Sequence, residues 1–225
     1  MSRQNENKII LDLCGGTGSW SRPYKEAGYD VRLLTLPDFD VRNWKETWLG
    51  TYEAPVYGIL AAPPCTMFSF ARTNAKKPRD LKEGMECVRA CLEIIWSFME
   101  IKQDTVKKTL PLKFWALENP ARSFLPKFLG KPAFEFSPWE FGDAYKKRTA
   151  LWGYFNEPIK THTDVSGVLT PDQIEKHKTN SQQLPKFDYM KSKDIHPEAF
   201  GKLDRQARRS ITPQGFALAF FKANQ

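Results

Sequence analysis

Residues 8 to 18 constrain this chain more than any other stretch. Lys8 to Leu13 reads as an apolar strand, and it runs directly into Cys14-Gly15-Gly16-Thr17-Gly18-Ser19. Glycines in such a turn let the backbone approach a ligand closely at the carboxyl end of a strand, where open α/β sheets bind cofactors. The turn lacks the Gly-Lys-Ser/Thr ending of a phosphate loop and the spacing of a dinucleotide fingerprint. The following segments keep alternating. Trp20 to Ala27 reads as a helix stopped by Gly28, Asp30 to Leu36 as a strand ended by Pro37, Asn43 to Leu49 as a short helix or turn, and Val56 to Ala62 as a strand closed by Pro63-Pro64. Strands separated by helical segments predict an α/β fold with a parallel, doubly wound, Rossmann-like sheet.

Further along, residues 66 to 80 form a polar, basic loop. Leu81 to Lys102 shows helical periodicity through Met85, Val88, Leu92, Ile95 and Met99. Lys113 to Leu117 reads as a strand ending in Glu118-Asn119-Pro120, Phe124 to Leu129 as a helical turn, and Phe134 to Phe136 and Arg148 to Tyr154 as later strands. Composition then turns polar. We read residues 1–155 as a core, 156–205 as a small irregular lobe, and 206–225 as a C-terminal helical return to the sheet, with Gly215 to Ala223 apolar.

The 225 residues carry 34 Lys and Arg against 26 Asp and Glu, a net +8, which points to a polyanionic partner such as nucleic acid. Apolar runs such as Tyr57 to Ala62 are too short to span a bilayer, and the first eight residues are polar, so a cytoplasmic protein is expected. Cys14, Cys65, Cys87 and Cys91 include no CxxC pair. Cys87 and Cys91 share one face of the long helix, but no second ligand pair accompanies them, and no metal site is expected.

Two strand ends carry reactive groups. Pro63-Pro64-Cys65 places a thiol, stiffened by prolines, at the active edge of the sheet, and Glu118 puts an acid at a comparable place. Both would face one crevice. Arg72, Lys76, Lys77, Arg79, Lys146 and Lys147 lie in flanking loops, where they are expected to grip phosphates. With only a small lobe to read bases, loose sequence specificity is expected. No histidine precedes His162, which argues against a Cys-His hydrolase.

Asp12-Leu13-Cys14-Gly15-Gly16-Thr17-Gly18, Ala62-Pro63-Pro64-Cys65, Glu118-Asn119-Pro120 and Lys146-Lys147-Arg148 stand in the order found in cytosine-C5 DNA methyltransferases, and the chain resembles a short, phage-type member of that family. The resemblance covers residues 8 to 154 and, loosely, the last 17. It implies S-adenosylmethionine as cofactor and methyl transfer to C5 of cytosine in DNA, flipped out or unpaired. On that resemblance, Cys65 is the thiolate that adds to C6. Glu118 holds the amino group and N3, Arg148 orients the base through O2, and Pro64 and Asn119 complete the catalytic motifs. Gly16 and Gly18 meet the methionine end of the cofactor and Asp40-Val41 meets its adenine. Leu13, Cys14, Thr17, Ser19, Trp20, Thr35 and Pro63 line the rest. The thiol's pKa is expected to need lowering by nearby positive charge.

The chain departs from the family pattern at Cys14 (usually aromatic), Thr35 (usually an acid), Thr66 (usually Gln) and Ala150 (usually a second arginine). The stretch between Arg148 and Arg209 is too short for a large target-recognition domain. Other readings are action on RNA or a nucleotide, transfer of another one-carbon group, or a non-catalytic nucleic-acid-binding relative.

Overall fold

Short apolar runs in the first half of the chain build a parallel ladder. In the computed structural model, which describes residues 5–47, 56–72, 75–99, 112–169, 203 and 205–225, the strands β1 (Ile9–Leu13), β2 (Asp30–Leu34), β3 (Val56–Ala61) and β4 (Phe114–Pro120) pair in parallel. β5 (Phe134–Phe136) and β6 (Thr149–Tyr154) complete a six-stranded sheet of order β2-β1-β3-β4-β6-β5. The sheet is mixed, which corrects the wholly parallel expectation: β6 runs antiparallel to both β4 and β5. Parallel neighbours need a crossover, usually helical. The chain between β5 and β6 carries only a 3-10 turn, Pro138–Phe141.

The helices divide between the two faces. α1 (Arg22–Glu26) and α2 (Trp44–Thr47) are short, and α3 (Leu81–Met99) is the long helix anticipated by its periodicity. α3 lays Val88, Cys91, Ile94 and Ile95 over Ile9, Leu11, Ile59, Leu117, Ala150 and Trp152. α4 is the single turn Pro126–Leu129. The C-terminal return consists of two helices, α5 (Arg205–Ser210) and α6 (Gln214–Ala223). On the second face Phe216 and Phe220 of α6, with Trp20 and Tyr24, cover Ile10, Leu60, Phe114, Ala116, Leu151 and Phe136. Strand side chains alternate between faces, and the two apolar sets divide by that rule. The result is an α/β sheet with helices on both sides, consistent with a Rossmann-like fold.

Residues 156–169 are irregular apart from a 3-10 turn at Val165–Val168, as expected of the lobe's beginning. Most of the remainder of that lobe lies outside the described residues. Among the described residues no helix is long and apolar enough to cross a membrane.

Candidate functional site

The glycine turn at the end of β1 is shaped by what lies beneath it. Cys14, Gly16 and Gly18 all have positive φ (56°, 56° and 67°), so the chain turns through left-handed backbone in three places. Gly15 is required for a different reason: a Cβ there would come within 2.2 Å of the Asp12 carboxylate. Asp12 is fully buried, on the α6 side of the sheet with Ile10. The Ser21 hydroxyl donates to its Oδ2 at 2.6 Å, while Oδ1 has no partner among the described residues. Burial pushes the Asp12 carboxyl up to about 6, against the lowering effect of Ser21. The family resemblance gave Asp12 no role. Its one sequence signal is an acid inside an otherwise apolar strand.

Of the residues expected to hold a cofactor, the turn keeps Gly16, Thr17 and Gly18 at the surface or partly exposed, and Thr35 Oγ1 accepts from the Gly16 amide at 3.3 Å. Leu33 and Leu36, at and just beyond the end of β2, remain exposed, with Leu33 3.6 Å from where a Gly18 Cβ would stand. Four expectations are corrected. The Leu13 side chain is core. Trp20 is buried between Phe216 and Phe220 (ring centroids 6.1 and 5.4 Å) rather than lining a ligand site. Ser19 is buried, and its hydroxyl accepts from the Thr212 amide at 2.8 Å, tying the C-terminal segment to the turn. The Asp40 carboxylate caps the turn at Val41 and is gripped by the Arg42 guanidinium, which holds it below the usual carboxylate range. Val41 is buried, and Cys14 packs against the core cluster that contains Cys91.

At the neighbouring strand ends the two reactive groups meet. Cys65 follows β3 by four residues, and Glu118 lies on β4, the parallel neighbour of β3. Pro63 is held against β4 by Asn119, whose Nδ2 donates to the Pro63 carbonyl at 3.0 Å. Asn119 is fully buried and holds the Pro63-Pro64-Cys65 arm against β4, while Pro64 is exposed. Beyond Cys65, the amides of Phe68 and Ser69 donate to its carbonyl (3.0 and 2.9 Å) and close a helical turn.

Burial and Glu118 push the Cys65 thiol up, and Lys147 and Arg209 pull it down without prevailing. The expected lowering is therefore opposed: desolvation outweighs the two cations. Burial also raises the Glu118 carboxyl, opposed by Lys147. Both groups rest toward their neutral forms.

The largest correction concerns Arg148. Its side chain is 62% exposed and pairs with Glu135 at 2.7 Å. Phe134 and Phe136 face α6, so Glu135 between them faces the other side, as do Ala150 and Trp152. Arg148, two residues before Ala150, follows the same alternation and turns away from Glu118. Lys147 instead shares the face of Glu118, and its Nζ donates to the Ile211 carbonyl at 2.8 Å. A residue expected to grip phosphate is thus the cation of the site, and the one expected to orient the base is outside it. Arg209, from α5, joins it, a residue to which neither the charge pattern nor the resemblance assigned a role.

The basic loop is also partly internal. Arg79 donates to the Met67 carbonyl at 2.6 Å and the Ser69 carbonyl at 3.1 Å, and its guanidinium lies 5.0 Å from the Phe124 ring centre. It clamps the turn after Cys65 instead of reaching for phosphate. Arg72 donates to the Lys77 carbonyl, Lys77 pairs with Glu83, and Lys76 and Lys146 are exposed. Among the described residues no cluster of metal ligands is present. No protein-family model matches this chain, and no curated protein matches it.

Proposed function

We propose that this protein transfers a methyl group from S-adenosylmethionine to C5 of cytosine in DNA through a covalent Cys65 adduct. The observation that carries the reading is the convergence of Cys65 and Glu118 from adjacent parallel strands, with Lys147 acting on both. The glycine turn stands one strand away, on β1, also a neighbour of β3. Its residues suit the cofactor. The turn at Gly16 and Gly18 suits its methionine end, the exposed apolar Leu33 and Leu36 suit a purine ring, and the Thr35 hydroxyl suits a ribose. Bound there, the cofactor supplies an electrophilic methyl on a sulfonium.

Cytosine C5 is a weak nucleophile. Addition of the Cys65 thiolate at C6 converts the ring into an enamine that is strongly nucleophilic at C5. A buried carboxyl with a raised pKa can donate a proton, and Glu118 in that state hydrogen-bonds N3 as charge accumulates there. Lys147 favours the thiolate once the thiol has lost its proton and compensates the negative charge that Glu118 acquires. Once C5 has taken the methyl, with the S–CH3 bond broken and the neutral thioether released, loss of the C5 proton to solvent would expel Cys65 and restore the aromatic ring. The target base must be unpaired, in a single strand or flipped out of a duplex, to reach these groups.

Trapping on an oligodeoxynucleotide containing 5-fluorocytosine tests this reading, because fluorine replaces the proton that must leave. With S-adenosylmethionine the wild-type chain is expected to form a denaturation-resistant adduct. Cys65→Ala should form none and keep its fold, while Cys14→Ala, Cys87→Ala and Cys91→Ala should all form it. Absence of a wild-type adduct, or an adduct with Cys65→Ala, would overturn the proposal.

A further inference from the structure

One helical turn beyond Cys65, the chain displays an aromatic ring to solvent. Phe70 is 47% exposed. Its ring packs edge-to-face on Phe124, centroids 4.8 Å apart at 86°, and among the described residues Phe124 is its one ring partner. The position is rigidly supported. The Phe70 amide donates to the Arg122 carbonyl, the Phe124 amide donates to the Phe68 carbonyl, and Ser69 bridges Ser123. Arg79 and Lys127 stand 5.0 and 5.4 Å from the centre of the Phe124 ring.

A single exposed ring is ordinary on a protein surface; what distinguishes Phe70 is that backbone hydrogen bonds hold it rigid in a basic setting. The surrounding charge says what kind of partner fits. Residues 66–80 and 121–131 hold seven cations, Arg72, Lys76, Lys77, Arg79, Arg122, Lys127 and Lys131, against one anion, Asp80. Arg79 is spent on carbonyls and Lys77 on Glu83, but Lys76, Arg122, Lys127 and Lys131 are exposed. Aromatic rings that stack bases, set in a basic groove that follows the backbone, are how proteins hold single strands without reading sequence. A duplex interior offers no base face to such a ring, because each base is already stacked on its neighbours.

We propose that Phe70, supported by Phe124 and flanked by Lys127 and Arg122, is a stacking platform for an unpaired nucleotide beside the target cytosine. The preferred substrate is then single-stranded DNA. This inference rests on the methyltransferase reading for the identity of the target, but the platform itself is a matter of binding. The strand would run from Phe70 toward Cys65, so the target base enters the crevice between Cys65 and Glu118 while its neighbour rests on the ring. No energy is then needed to extract a base from a duplex.

Fluorescence anisotropy tests the platform without turnover. The probes are a labelled 12-nucleotide DNA strand with one central cytosine, its blunt duplex, and the RNA strand of the same sequence, all with Cys65→Ala protein and no cofactor. Single-stranded DNA is expected to bind at least tenfold more tightly than the duplex. Phe70→Ala should weaken single-strand binding about 5- to 150-fold, the range for loss of one stacked base. It should leave duplex binding within twofold. Phe70→Trp should bind the strand as tightly as Phe70 or better, which excludes misfolding as the cause of the alanine loss. Equal affinity for strand and duplex, no effect of Phe70→Ala, or tenfold preference for RNA would overturn the proposal. Phe70-dependent strand binding without 5-fluorocytosine trapping would leave the platform standing and remove the methyl-transfer reading. Trapping that is indifferent to Phe70 would do the reverse.

Discussion

Asp12 makes the fold sensitive to pH in a direction opposite to most carboxylates. It is fully buried beneath Gly15 and its pKa is about 6, against an ordinary value of 3.8. The folded state therefore binds the Asp12 proton more tightly than the unfolded state does. Its stabilising effect is complete below about 3.8 and is lost as pH rises through about 6. The difference, about two pKa units at 1.36 kcal/mol each, is about 3 kcal/mol. Asp12→Asn removes the titration while keeping the shape. Relative to this variant, the wild-type chain should lose about 3 kcal/mol across the full titration, most of it between about pH 4 and pH 7.5. For a chain of this size that is about 6–12 °C in melting temperature. Asp143, also raised by burial to about 6, titrates in the same window, but it is common to both proteins and cancels in the comparison. Any constant cost of placing an amide beside Ser21 shifts the whole profile without changing its shape. Thermal melts of both proteins at half-unit pH intervals, without cofactor, measure the difference. Parallel profiles would refute the reasoning, and so would a wild-type chain that gains on the variant as pH rises.

Two further outcomes follow from side-chain direction and from close approach. Lys147→Ala should lower the rate of the proposed methyl transfer about 100-fold, on the scale of losing one preorganised charge-stabilising group, and move the rise of the pH–rate profile to higher pH. Arg148→Ala should stay near wild type, since an exposed ion pair is worth about 1 kcal/mol or less; the opposite ranking in steady-state assays would show that the assignment of faces is wrong. Gly153 has φ of +150°, and a Cβ there would lie 2.1 Å from the Trp115 carbonyl oxygen of the adjacent strand. Gly153→Ala should therefore destabilise the fold by about 3 kcal/mol or more, because backbone on both sides must shift. An unchanged midpoint in urea unfolding would contradict it.

The sequence by itself determined which segments are strands and which are helices, and the order in which the motifs occur. These are local properties. The short continuous apolar runs of β1 and β3 and the three- and four-residue spacing of α3 are written in neighbouring side chains, and the glycine turn follows from backbone freedom. The ends of α3 and of β2 were legible to within a few residues for the same reason. Tertiary structure decided what depends on pairing. Lys147 and Arg148 are adjacent and both basic, and nothing local distinguishes them. Only the antiparallel register of β6 on β4 turns one toward Cys65 and the other toward Glu135. A one-residue difference along a strand is a change of face. Asp12 reads as one polar residue in a strand, and its perturbed carboxyl exists because α1 and the glycine turn close over it. Arg79 looked like a phosphate contact because its targets, the Met67 and Ser69 carbonyls, are made available only when the turn after Cys65 folds back against residues 122–124. Composition assigns a positive charge to a segment, but the fold decides whether that charge meets solvent, a carbonyl or a thiol.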